Sequence, residues 1–212
     1  MDQAGLDAGA LSAAELRRRL AALKPGGTRG DHDLNPGMEP PDKLREAAVL
    51  VPLVERPDGL SVIFTRRTAH LASHAGQVSF PGGHTEEHDQ SPEAAALRET
   101  REEIGLDHRH IEPIGRLDIY ITRTGFRVTP VVALIRPPFT LTPDPDEVAE
   151  VFEVPLAAIL APDMPRRESR ELFGVPRLFY VFPWRGNSIW GATAGMLVNL
   201  REALNKPPSE EP

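Results

Sequence analysis

Ser91-Pro92-Glu93 at one end and Gly105 at the other mark out a single helix, and this capped segment is the strongest structural signal in the chain. Serine caps a helix by accepting a backbone N–H, and proline suits the first helical position because its missing N–H would be unpaired there anyway. A glutamate there favours the positive end of the helix dipole. Glycine closes a helix in the left-handed conformation. Between these ends the run AAALRETREEI puts Leu97 and Ile104 on one stripe with Ala94 close by. Glu99, Glu102 and Glu103 follow i, i+3, i+4 spacing and are expected on the opposite side, their Cβ atoms about 5–6 Å apart.

Three carboxylates on one patch repel, by roughly 0.2–0.5 kcal/mol per close pair in an isolated helix. Most acidic helix faces are simply solvated; the neighbours of this one set it apart. Residues 77–80 read as a short strand running into Pro81-Gly82-Gly83. A glycine pair lets backbone approach another group closely and present a carbonyl to it. Hard cations such as Mg²⁺ take carboxylate and carbonyl oxygens and keep several waters. Strand, glycine loop and acidic helix together make a candidate site for a divalent ion, its other positions open to water and substrate phosphates.

The remaining elements place this unit in a mixed α/β chain. Residues 47–54 and 60–66 are β-rich and flank Arg56-Pro57-Asp58-Gly59, a hairpin signal. Residues 114–121 and 127–135 read as strands around Thr124-Gly125, and 155–160 as a short helix. Residues 178–182 and 188–190 bracket a turn at Arg185-Gly186-Asn187, and 192–203 form a closing helix. Ahead of them, Leu16, Leu20 and Leu23 stand at helical spacing around Arg17-Arg18-Arg19, so 11–23 is expected to be an amphipathic helix. Residues 24–41 are rich in Gly, Pro and Asp and read as a linker or irregular cover. The expected division is 1–44 for helix and linker, 45–204 for the main domain, and 205–212 for a disordered acidic tail.

Charge and composition narrow the function. The chain has 24 Lys+Arg against 31 Asp+Glu, a net charge of -7, and no cysteine. Disulfides, thiolate metal sites and a cysteine nucleophile are excluded. The acidic balance argues against nucleic acid as a partner, because such binding draws most of its affinity from phosphate neutralisation. The first ten residues lack the basic start and apolar middle of a signal peptide. No apolar run nears the roughly 18 residues of a membrane span, so a cytoplasmic location and no membrane partner are expected. An anionic substrate would have to be attracted locally, and a divalent metal is the obvious means.

Gly83 through Leu106, with Arg98-Glu99-x-x-Glu102-Glu103-x-Gly105 at its core, resembles the signature of the Nudix hydrolases. Two departures are visible. The gap from Gly83 to Arg98 is one residue longer than the general pattern, which leaves Asp89 or Gln90 in place of an early glutamate, and Thr100 stands at an apolar position. Upstream, Thr65-Arg66-Arg67-Thr68, Leu71, His74, Gly76 and Phe80-Pro81-Gly82-Gly83 resemble the extension of the coenzyme A pyrophosphatase branch. Gly125-Phe126, Val128-Thr129-Pro130 and Ile189-Trp190-Gly191 are similar to it too, so the resemblance covers roughly residues 47–204. Ala72 departs from it, where the branch often has arginine.

The resemblance implies a Nudix-like α/β/α sandwich with a mixed β-sheet. It implies Mg²⁺- or Mn²⁺-dependent hydrolysis of the diphosphate bond of coenzyme A and its derivatives, giving 4'-phosphopantetheine and adenosine 3',5'-bisphosphate. Ala72 motivates an alternative, ADP-ribose or another nucleoside diphosphate derivative; a non-catalytic nucleotide-binding module is the third reading. Glu99 and Glu103 are implied metal ligands, and Glu102 is either a third ligand or the group that orients and deprotonates water. The Gly83 carbonyl is the implied backbone ligand, Arg98 a structural salt-bridge partner and Gly105 the helix cap.

Substrate-binding candidates are Arg66, Arg67, Gly82 and Gly83, with Arg123 and Arg127 also on elements bordering the cleft. The catalytic base is left open among Asp144, Asp146, Glu147 and Glu150, each more often a plain surface acid. His70, His74 and His84 flank the glycine loop, where local hydrogen bonding is their commoner role. Trp184 and Trp190 are candidates for stacking on adenine or for the edge of the core. The expected partner is a small-molecule substrate, with a homodimer as a further candidate.

Overall fold

The computed structural model describes residues 11–23, 26–70, 74–172 and 174–205. Residues 1–10, Ala72 and the acidic tail from residue 206 lie outside the described residues.

The chain opens with α1 (Ala13–Ala21), whose cap Ser12 accepts the Glu15 N–H at 3.2 Å. It continues through β1 (Thr28–Gly30), a 3-10 turn (Asp31–Leu34), β2 (Arg45–Arg56), β3 (Gly59–Arg67), β4 (Val78–Ser79) and β5 (Gly82–His84). Then come α2 (Pro92–Ile104), β6 (Ile111–Arg116), β7 (Ile119–Ile121), β8 (Phe126–Ile135), β9 (Val148–Pro155) and α3 (Leu156–Leu160). A separate antiparallel sheet, β10 (Arg166–Leu172), β11 (Val175–Trp184) and β12 (Asn187–Trp190), precedes α4 (Gly191–Asn205).

β1 to β9 form one mixed sheet, ordered β1-β7-β8-β2-β3-β4, with β5 added to β2, β6 to β8 and β9 to β3. Its axis is the parallel pair β2 and β8, in register from Arg45 opposite Phe126 to Val54 opposite Ile135. β2 is apolar on both faces, as a strand covered on both sides must be. Ala47, Val51 and Leu53 enter one core, and Ala48, Leu50 and Val54 the other. α2 closes the second core with Ala95, Ala96 and Ile104. α1, α3 and α4 close the first with Leu16, Leu20, Leu156, Ile159, Leu197 and Leu200. The fold is an α/β/α sandwich around a mixed sheet. Each fully buried leucine such as Leu16 contributes about 2 kcal/mol, so α1 belongs to the core.

The structure corrects several local expectations. The stretch read as linker or irregular cover contains β1, which pairs in parallel with β7 from Thr28 opposite Ile119 to Gly30 opposite Ile121. Three residues are too few to show a strand period. The single strand expected over 114–121 is two, β6 and β7, which pair with opposite halves of β8. β9 and β10 are also additional, and β10 is charged along its length. No helix among the described residues is long and apolar enough to cross a membrane.

Candidate active site

α2 begins as its sequence dictates, with Ser91 Oγ accepting the Ala94 N–H at 3.2 Å and Pro92 in the first turn. It ends at Gly105, whose φ of 67° is left-handed and whose N–H donates to the Arg101 carbonyl at 2.9 Å. The helix turns Ala96, Thr100, Glu103 and Ile104 inward. This refines the expectation that the three glutamates lie together opposite a stripe of Leu97 and Ile104, since Glu103 is buried with Ile104 and Leu97 is not fully buried. Glu103 is 5% exposed, Glu99 is mostly covered, and the Glu102 side chain is 59% exposed. The carboxylates therefore fan from core to solvent. Thr100, wholly buried, donates its hydroxyl to the Ala96 carbonyl at 2.6 Å, which is how a polar residue occupies an apolar position.

β5 brings backbone against these carboxylates. Gly82 has φ 147°, and a Cβ there would strike the Ala48 carbonyl and Val49 Cα, so only glycine fits. Its N–H donates to Glu103 Oε2 at 3.3 Å. A Cβ on Gly83 would lie 2.6 Å from the Glu99 carboxyl carbon. The loop leaving β5 is tied down by Arg98. Its Nη2 donates to the His84 carbonyl at 2.9 Å and to Asp89 Oδ2 at 3.0 Å, while Nε reaches Asp89 Oδ1 at 3.3 Å. Nη1 holds Glu99 Oε1 at 2.9 Å and Glu102 Oε2 at 3.0 Å. Of the two residues standing where the signature has its early glutamate, Asp89 makes this contact. Arg98 holds the Asp89 carboxyl below the usual carboxylate range.

The electrostatics run the other way at the buried end. Burial pushes the Glu103 carboxyl up to about 8, outweighing the Gly82 N–H and the Arg67 guanidinium 3.8 Å away, and Glu147 and Glu99 add to the rise. Glu99 is raised as well, by burial first and then by Glu102 and Glu147, against the pull of Arg98. Arg67 Nε is buried with no hydrogen-bond partner among the described residues. No three acidic or histidine side chains among the described residues stand ready to hold a metal ion, and Arg98 Nη1 engages both Glu99 and Glu102. The donor chemistry nevertheless fits a hard divalent cation: carboxylates graded from buried to exposed stand beside a glycine backbone, and burial raises the innermost of them, Glu103, despite Arg67 nearby.

Beside the glycine loop is a cavity of about 570 Å³. Arg67, Gly82, Gly83, His74, His84 and Arg123 line it, with apolar walls from Phe80, Phe126 and Trp190. Arg66 instead pairs with Glu150 across β3 and β9, and Arg127 pairs with Glu46, so neither lines the cavity. His74 Nδ1 and Gln77 Oε1 are hydrogen-bonded at 2.8 Å, and the His84 ring packs on Phe126 with centroids 4.9 Å apart. His70 and Trp184 lie off the cavity. Asp144 Oδ1 accepts the Asp146 N–H at 2.8 Å, a local turn contact. Glu150, expected on a loop, lies on β9; of the four candidate acids, Glu147 is the one whose charge bears on both Glu99 and Glu103. Sequence reasoning missed Arg170, Arg177 and Phe179, which reach the cavity from the small sheet; the arginine-rich run 166–170 contains only the first of them.

The NUDIX domain family matches residues 44–173 of the chain. The uncharacterized Nudix hydrolase NudL of Photorhabdus laumondii is 38% identical over 163 residues, covering 77% of this chain and 87% of that protein. Nudix hydrolase 15, mitochondrial, of Arabidopsis thaliana is 38% identical over 175 residues, which is 79% of this chain; the chain spans 61% of the plant protein's length. Among solved structures, the Nudix hydrolase RenU of M. smegmatis aligns over 52% of this chain and 70% of its own, at 26% identity and a TM-score of 0.45.

Proposed function

The chain belongs to the Nudix hydrolase family, and from that premise we propose that it cleaves the diphosphate bond of coenzyme A and its derivatives, releasing 4'-phosphopantetheine and adenosine 3',5'-bisphosphate. Family membership supports hydrolysis of the pyrophosphate bond in a nucleoside diphosphate derivative. The observation that carries the finer reading is the Thr65-Arg66-Arg67-Thr68 and Phe80-Pro81-Gly82-Gly83 extension, whose Arg67, Gly82 and Gly83 line the cavity beside the acidic helix.

Nudix hydrolases generally use a divalent ion such as Mg²⁺ or Mn²⁺. Glu99, Glu103 and the Gly83 carbonyl would hold it, with Glu102 as a third ligand or as the group that takes a proton from water. Such an ion lowers the pKa of bound water and neutralises charge on phosphoryl oxygens. The protein's own part is positional. Arg98, gripping Asp89 and the His84 carbonyl, keeps the glycine loop against the carboxylates. Arg67, which lines the cavity and whose Nε has no partner among the described residues, would offer its guanidinium to a phosphate oxygen. Glu147 is the loop carboxylate best placed to act as base. Phe80 and Phe126 form part of the apolar wall of the cavity.

Coenzyme A, dephospho-coenzyme A and ADP-ribose at equal concentration, with and without Mg²⁺, test this reading by product analysis. The expected result is 4'-phosphopantetheine and adenosine 3',5'-bisphosphate from coenzyme A, only with metal. Ala72 motivates the second reading, ADP-ribose, and a preference for that substrate would overturn the first.

A further inference from the structure

In the small sheet Arg170 on β10 stands directly opposite Arg177 on β11, so their side chains share one face. Like charges directly opposite each other in an antiparallel ladder are destabilising. Neither arginine forms an ion pair among the described residues, although Glu168 lies on the same face two residues away. Both line the cavity that the glycine loop borders. The Arg170 guanidinium lies 5.5 Å from the Trp190 ring centroid, and the Phe179 and Trp190 rings pack 5.7 Å apart. Two uncompensated guanidinium groups beside an aromatic wall suit a phosphomonoester attached to a purine nucleoside: the forks bind phosphate oxygens and the rings stack on the base.

We propose that Arg170 and Arg177 bind a phosphomonoester of the substrate remote from its scissile diphosphate, making the small sheet the element that selects 3'-phosphorylated nucleotides. This rests on the coenzyme A reading above and deepens it, since coenzyme A carries such a group and dephospho-coenzyme A does not.

Calorimetric titration with adenosine 3',5'-bisphosphate and with AMP tests the site without any turnover. The wild type should bind the bisphosphate at least about tenfold more tightly, the scale of one charge-assisted hydrogen-bonded contact. Arg170→Gln and Arg177→Gln should each reduce that preference and together erase it. Arg170→Lys and Arg177→Lys, which keep the charge, should retain part of it, a rescue that a folding defect would not give. Equal affinity for the two ligands in the wild type, or a preference surviving in the double glutamine variant, would overturn the inference. Preferential turnover of ADP-ribose would overturn the substrate reading instead, and a bisphosphate preference lost with the two arginines would still support the anion site.

Discussion

Arg98 grips Asp89 with two nitrogens, Nε 3.3 Å from Oδ1 and Nη2 3.0 Å from Oδ2. A loop one residue longer than the family pattern still delivers a carboxylate to the same guanidinium that holds Glu99 and Glu102. The Asp89 side chain is 3% exposed and that of Arg98 18%, so the pair is shielded but close to the surface. Asp89→Ala should destabilise the protein by about 1–3 kcal/mol in urea unfolding and lower activity with it. Gln90→Ala should do neither.

Gly83 leaves no room for a side chain beside Glu99. Gly83→Ala places a methyl 2.6 Å from the Glu99 carboxyl carbon, so the carboxylate or the loop must shift. Misplacing a catalytic group by about 1 Å costs on the order of 10²-fold, and kcat should fall by that scale. Gly82→Ala strains the backbone as well and should cost about 1–3 kcal/mol of stability, read as a lower melting temperature.

Glu103 makes the metal-free protein sensitive to alkali. Its folded pKa, about 8, lies above the ordinary 4.5, so the folded state keeps a proton that the unfolded chain releases. The stability linked to that proton is complete below pH 4.5 and is lost as pH rises through about 8. Melting temperatures in chelator should therefore fall across that window, and Glu103→Gln should flatten the slope. Metal binding needs the carboxylate and displaces the proton, so affinity for Mn²⁺ should rise over the same window.

Glu147 is separable from the other candidate acids by substitution. As the general base, Glu147→Gln should lower kcat by about 10²–10⁴-fold with little change in KM. Asp144→Asn, Asp146→Asn and Glu150→Gln should each stay within about tenfold of wild type. A loss of kcat confined to the Glu147 variant, with metal affinity unchanged, would confirm the assignment.

The parts of this molecule readable in advance are those specified by local chemistry. Ser91, Pro92 and Gly105 announce α2 because caps act within one turn, and β2 and β8 announce themselves by apolar residues on both faces. β10 could not be read this way: Arg166 to Leu172 carries charge on both faces and is held by its ladder to β11. β1 owes its strand state to three residues paired with β7. At the site, helical spacing put the three glutamates near one another but could not say which would be buried. The stripe through Leu97 competes with one through Ala96, Thr100 and Glu103, and the sheet beneath α2 decides between them. The Arg98 contacts follow from the long-range path of the loop, which no periodicity encodes. Arg170 and Arg177 went unread because their significance appears only when two strands pair across a cavity.

Electron paramagnetic resonance of Mn²⁺ titrated into the protein measures the central relationship directly, the hold of Glu99 and Glu103 on a divalent ion. The wild type should bind Mn²⁺ and broaden its signal, while Glu103→Gln should weaken binding at least about tenfold and lose metal-dependent diphosphate hydrolysis without losing the fold. A Glu103→Gln variant that binds Mn²⁺ as tightly as wild type and still hydrolyses the diphosphate would contradict the account.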